Sequence, residues 1–113
     1  MNNIVVKKKK GIYVFPLESI VYMEKNLRKI CLYEGNGQAI EFYGRFEDVL
    51  PLLDGRFMFC HRSYIINMDE IVVMSCNRIF VRTNRCIYMG RDTYCKAKKI
   101  FSKYMRDKLV EKR

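Results

Sequence analysis

Apolar and polar residues alternate with a period of two through most of residues 1–90, and turn-forming residues cut the alternation into short runs. Successive side chains of a strand point to opposite faces, so this pattern suits half-buried sheets and not a helix. "NIVVKKKK" and "IYVF" are parted at Gly11, and "PLESI" turns the chain into "IVYME". "KNLRK" at 25–29 reads as a polar loop. "ICLYE" and "QAIEFY" flank "GNG" at 35–37, a hairpin signal because glycine and asparagine tolerate positive φ. "IVVMSC", "IFVRT" and "CIYMG" follow as three strands. Their connections, "NR" at 77–78 and at 84–85, would place a basic residue at each tip.

Two segments break the alternation. "RFEDVLPLL" sets Phe46, Val49, Leu50 and Leu53 at i, i+3, i+4 and i+7, one face of a short helix with Glu47 and Asp48 in its first turn. Pro51 lacks the N–H that the helix needs, so the helix must stop or change geometry there. From Asp92 to Val110 the composition is helical, with Ala97, Phe101, Tyr104 and Met105 near one face and lysines around the others. The expected fold is mainly β, built of antiparallel sheets with a short internal helix and a C-terminal helix.

A length of 113 residues, half of them apolar, suits one domain spanning 1–113 with a single ordinary core. Residues 56–113 hold 14 Lys and Arg against 5 Asp and Glu, and so carry +9 of the net +10. A folded chain with its positive charge gathered in one half has the footprint of a polyanion binder. The five cysteines form no Cys-x-x-Cys pair, and the N-terminal "MNNIVVKKKKGIYV" is not a signal peptide. Free thiols in a reducing cytoplasm are expected, and the uncharged runs are too short to cross a membrane.

"FMFCHRSYIINMDEI" at 57–71 contains the only histidine, beside a cysteine, an arginine and a serine. Neighbours in an extended segment face opposite ways, so Cys60 and His61 cannot form a catalytic dyad. One histidine and scattered cysteines lack the converging spacing of a metal site, and no glycine-rich phosphate loop precedes a helix. No enzyme activity, metal or cofactor is expected. Nucleic-acid binding asks for basic groups presented on loops, and the chain offers Arg28 and Lys29, His61-Arg62-Ser63, Arg78, Arg85 and Arg91. Lys7–Lys10 reads differently, as an exposed edge that discourages strand-to-strand aggregation.

"F-x-x-CHRSYIINMDEI", after "IEFYGRFEDVLPLLDGRF" and before the strands that end in "IYMGRDTY", resembles the LytTR family of bacterial DNA-binding domains, and within it the accessory gene regulator type. The resemblance runs from about Ile12 to Phe101. It implies a largely β fold that binds promoter DNA through loops instead of a recognition helix, commonly on paired direct repeats that it bends, with a homodimer possible on the DNA. Carried onto this chain, the base-reading positions of the three loops fall on Arg28, Arg62 and Arg91. Arginine fits guanine O6 and N7 in a bidentate way, so a guanine-rich element is expected. Lys29, His61, Ser63 and Arg78 are the expected phosphate contacts. Members usually follow a receiver or another sensor domain, whereas here the first apolar run begins after three residues, and no phosphate-acceptor aspartate is assigned. Two other functions remain compatible with the sequence: a protein-interaction module of the same fold, and an RNA-binding protein, although no glycine-aromatic RNA motif is present.

Overall fold

The computed structural model describes residues 2–111. The chain opens with a separate antiparallel hairpin of β1 (Asn3–Lys8) and β2 (Gly11–Pro16). Ile4 lies opposite Phe15 with both buried, while Val5, Ile12 and Val14 point outward. A 3₁₀ turn at Leu17–Ser19 leads into β3 (Ile20–Asn26), which pairs with β4 (Lys29–Glu34), which in turn pairs with β5 (Ala39–Tyr43). Helix α1 (Phe46–Val49) passes into a 3₁₀ turn over Leu50–Leu52 at Pro51, where the missing N–H breaks the α ladder as expected.

Strands β6 (Phe57–His61) and β7 (Tyr64–Asn67) then return to the same sheet on the other side of β3, giving the order β5-β4-β3-β7-β6. A third sheet has the order β10-β9-β8, with β8 at Ile71–Ser75, β9 at Arg78–Val81 and β10 at Arg85–Tyr88. Helix α2 (Arg91–Tyr104) follows. The fold is mainly β, and all strand pairs are antiparallel.

Strand β3 explains why the five-stranded sheet carries a core on each face. Ile20, Val21, Tyr22 and Met23 are all buried, which a strand achieves only when both faces are covered. The register runs from Ile20 opposite Glu34 to Tyr22 opposite Tyr33, so Val21 is the extra residue of a bulge. One core gathers Ile4, Phe15, Leu17, Ile20, Met23, Ile30, Leu32, Phe46 and Ile65 under the β1–β2 hairpin and α1. The other joins Val21, Tyr22, Met58 and Ile66 to Ile79 and Ile87 of the third sheet and to Tyr94 and Ala97 of α2.

Asn67 is the buried polar residue between them. Its Nδ2 donates to the Ile20 carbonyl at 2.8 Å, and its Oδ1 accepts the Asp69 N–H at 2.9 Å. One amide therefore fixes both the start of β3 and the turn into β8.

Three local expectations need correction. Residues 25–29 are not a loop: β3 runs to Asn26 and β4 starts at Lys29, leaving Leu27 and Arg28 as a two-residue turn. The hairpin tips of the third sheet are not Asn-Arg either. Cys76 and Asn77 (φ 53° and 62°) and Thr83 and Asn84 (φ 77° and 60°) supply the left-handed conformations. Arg78 and Arg85 are therefore the first residues of β9 and β10, since a turn twisted to match its strands needs positive φ within the loop. Finally, α2 stops at Tyr104 instead of near Val110. Its buried face is Tyr94 and Ala97 with half-buried Phe101, and the polar sequence after Met105 has no core to meet. Tyr104 is 40% exposed and serves as a tether, its hydroxyl donating to Asp69 Oδ1 at 2.8 Å.

Candidate nucleic-acid interface

Antiparallel pairing brings two basic turns to one end of the five-stranded sheet. Glu24 lies opposite Tyr64, and Asn26 lies opposite Lys29, so the β3–β4 and β6–β7 turns flank the C-terminal end of β3. The Lys25 N–H donates to the Ser63 carbonyl at 2.8 Å and locks the two turns side by side. Strands are spaced at roughly 4.8 Å, so the turns lie within about 10 Å of each other. Arg28 and Arg62 are exposed at their tips, with exposed Lys25 and Asn26 between them.

The β6–β7 turn is built by its own side chains. The Ser63 N–H donates to His61 Nδ1 at 3.0 Å, and the imidazole packs on the Tyr64 ring with centroids 5.2 Å apart. An accepting Nδ1 leaves the ring proton on Nε2, which is free to donate to an anion. Register shifts between Met58 and His61, so β6 bulges just before the turn. Phe59 there meets Phe46 edge to face at 5.7 Å, while half-buried Cys60 packs against the core of Tyr22 and Ile66. Burial pushes the Cys60 thiol up, which disfavours the reactive thiolate and makes this cysteine packing. Behind the turn, the Tyr64 hydroxyl donates to Glu24 Oε2 at 3.4 Å, and burial, then Glu24, raises its pKa above the ordinary tyrosine value.

At the β3–β4 turn the Gly44 N–H donates to the Arg28 carbonyl at 3.2 Å, tying the turn to the end of β5. Lys29 is half-buried, with Nζ 5.2 Å from the centroid of the Tyr43 ring. Leu27, 87% exposed, holds φ at 59°. A branched aliphatic residue in the left-handed region is strained, and asparagine is not. Leu27→Asn should therefore raise the unfolding free energy by about 0.5–1 kcal/mol, measured as a higher midpoint in thermal or urea unfolding.

Arg78 and Arg91 form a separate group. Arg78 is half-buried, its guanidinium 5.9 Å from the Phe80 ring and 5.7 Å from that of Tyr88. The Met89 N–H donates to the Asn77 carbonyl at 3.0 Å and carries the start of α2 to the β8–β9 turn. Arg91, the first residue of α2 after the N-cap Gly90, is exposed there.

Sequence reasoning missed Lys25 and Asn26 as interface candidates because it placed them in a loop. Strand β3 runs on through "EKN", three polar residues in succession after its buried stretch, so no alternation marked its true end. Arg85 had been placed at a hairpin tip; instead its guanidinium sits 4.2 Å from the Tyr33 ring, which is stacked on Tyr22 at 4.4 Å. Nothing local in the sequence announces that contact.

The sequence pattern of the LytTr DNA-binding domain family matches residues 10–102. Among solved structures, the chain resembles the LytTr DNA-binding domain of a protein from Bacillus cereus described as a methyl-accepting/DNA response regulator. The likeness has a TM-score of 0.73 at 16% identity and covers 88% of this chain and 96% of the other. No curated protein sequence matches the chain.

Proposed function

The chain belongs to the family of LytTr DNA-binding domains, and from that premise we propose that it binds duplex DNA sequence-specifically as part of a cytoplasmic bacterial transcriptional regulator. The observation that carries the reading is the locked pair of turns, which presents Arg28 and Arg62 at one sheet end through the Lys25–Ser63 bond. Two arginines on short, tied turns can enter a major groove with little loss of conformational freedom, and each can make a bidentate contact with a guanine. Arg91 is the third base reader, presented at the start of α2. Lys29, His61 through Nε2–H, Ser63 and Arg78 hold phosphates and set the register of the domain on the duplex.

The protein carries no recognition helix in this reading. Its short α1 packs Phe46 and Val49 into the core, and α2 uses Tyr94 and Ala97 in the same way. Loop reading by one compact domain suits a short element, and paired direct repeats occupied by two copies extend it.

The reading is tested by titrating duplex, single-stranded DNA and duplex RNA probes across a salt series. Each phosphate neutralised contributes about −0.9 to the slope of log K against log salt for B-form DNA. Duplex DNA should bind tightest, with a steep slope and a preference for one sequence over scrambled duplexes. A flat salt response, or equal affinity for every duplex, would sink it, and preference for RNA would favour the RNA-binding alternative.

A further inference from the structure

We infer that the lysine hairpin Lys7–Lys10 is a phosphate clamp that grips the duplex backbone beside the element read by the β3–β4 turn; the inference rests on the duplex-binding reading above. The edge strand β1 ends in these lysines, which gather at the tip of the hairpin. Lys7 and Lys8 end β1, Lys9 and Lys10 form the turn, and all four are exposed.

A chain of contacts joins this tip to the interface. Lys8 Nζ donates to the Glu41 carbonyl of β5 at 2.7 Å, a neutral acceptor that leaves the ammonium charge uncompensated. Two residues further along β5, Tyr43 lies opposite Lys29 and takes its ammonium over the ring. Gly44 then bonds the Arg28 carbonyl.

A groove of about 840 Å³ runs between the lysines and Tyr43. A second, of about 540 Å³, shares Lys29, Glu41 and Tyr43 with it and continues to Leu27 and Arg28. Two acidic groups line the grooves, Glu41 in both and Asp48 in the larger; Asp48 is met by Arg45 at 3.6 Å, and against Glu41 stand Lys7, Lys8, Lys9, Lys10 and Lys29, so the wall keeps an excess of positive charge.

The scale fits a backbone contact. Lys8 meets β5 at Glu41, two residues, or about 7 Å of strand, from Tyr43 beside Lys29. That is about two base-pair steps along a duplex at roughly 3.4 Å per step. Lysine suits the task, since a flexible point charge follows phosphates without demanding a base.

The test compares the whole chain with a variant carrying Lys7, Lys8, Lys9 and Lys10 all changed to Gln, on a long duplex containing the preferred element. A second variant with Lys96, Lys98, Lys99 and Lys103 changed to Gln removes the same charge from α2. Thermal melts establish that each variant is folded. Hydroxyl-radical footprinting of the wild type should protect the element and a short backbone stretch on one flank. The hairpin variant should lose only the flank, keep its base preference, and show a salt slope shallower by about 3, as expected for three to four lost phosphate contacts. The α2 variant should retain the flank. Unchanged flank protection and slope in the hairpin variant, with specific binding intact, would overturn the clamp alone. Wild-type protein that shows no sequence preference would overturn the duplex reading and the clamp with it.

Discussion

Ile65→Ala should lower the unfolding free energy by about 2–5 kcal/mol, the cost of removing a buried branched side chain and leaving a cavity. Ile65 is completely buried, lies opposite Met23 in the β3–β7 register, and packs with Ile30, Leu32 and Phe46. The site cannot collapse easily, because the sheet holds it on one side and the hairpin and α1 cover the other. A chain of this size gains or loses roughly 3–6 °C in melting temperature per kcal/mol, so a fall of about 6–30 °C is expected by circular dichroism. Three residues upstream of Ile65 the segment changes role, because His61 ends β6 and Arg62 lies in the turn. His61→Ala and Arg62→Ala should leave the melting temperature nearly unchanged. If Ile65→Ala were harmless and Arg62→Ala unfolded the domain, the faces of residues 60–67 would be inverted.

Arg62→Ala should weaken binding at the preferred element by about 1–3 kcal/mol, or roughly 5- to 150-fold, and relax base preference at one position. Arg62 is exposed at the tip of a turn fixed by the Ser63–His61 bond and by Lys25, so its guanidinium is presented from a rigid base. Arg62→Lys should recover little, because an ammonium cannot make the bidentate contact. Lys29→Ala should instead weaken all duplexes alike, since a phosphate contact carries no sequence information. Titrations against a set of duplexes with one base pair changed at a time separate the two patterns. Uniform weakening by Arg62→Ala and altered preference with Lys29→Ala would mean that the two roles are exchanged.

Much of the fold was legible because it is written locally. The "GNG" hairpin and the break of α1 at Pro51 each depend on residues within a few positions. The turn registers of the third sheet were less legible. Cys76 and Thr83 take left-handed conformations that neither residue favours, so pairing of the flanking strands decides the turn and overrides local preference. The interface divides in the same way. Arg28 and Arg62 could be named from the pattern of basic residues and the family resemblance. Their union at one sheet end depends on β7 pairing with β3, a contact between segments about forty residues apart. The placement of half-buried Arg78 near the Tyr88 ring and the seat of Arg85 on Tyr33 are equally non-local.

Duplex sequence is expected to be read by the β-turns that carry Arg28 and Arg62 together with Arg91 at the start of α2. Selection of bound molecules from a random duplex library is the decisive measurement. Enrichment of one short motif with guanines at fixed positions, often as spaced direct repeats, is the expected result. Selection with the Arg62→Ala protein should lose preference at one of those guanines and keep the others. A library that emerges without any enriched motif, or a motif unchanged in all three arginine variants, would contradict this assignment.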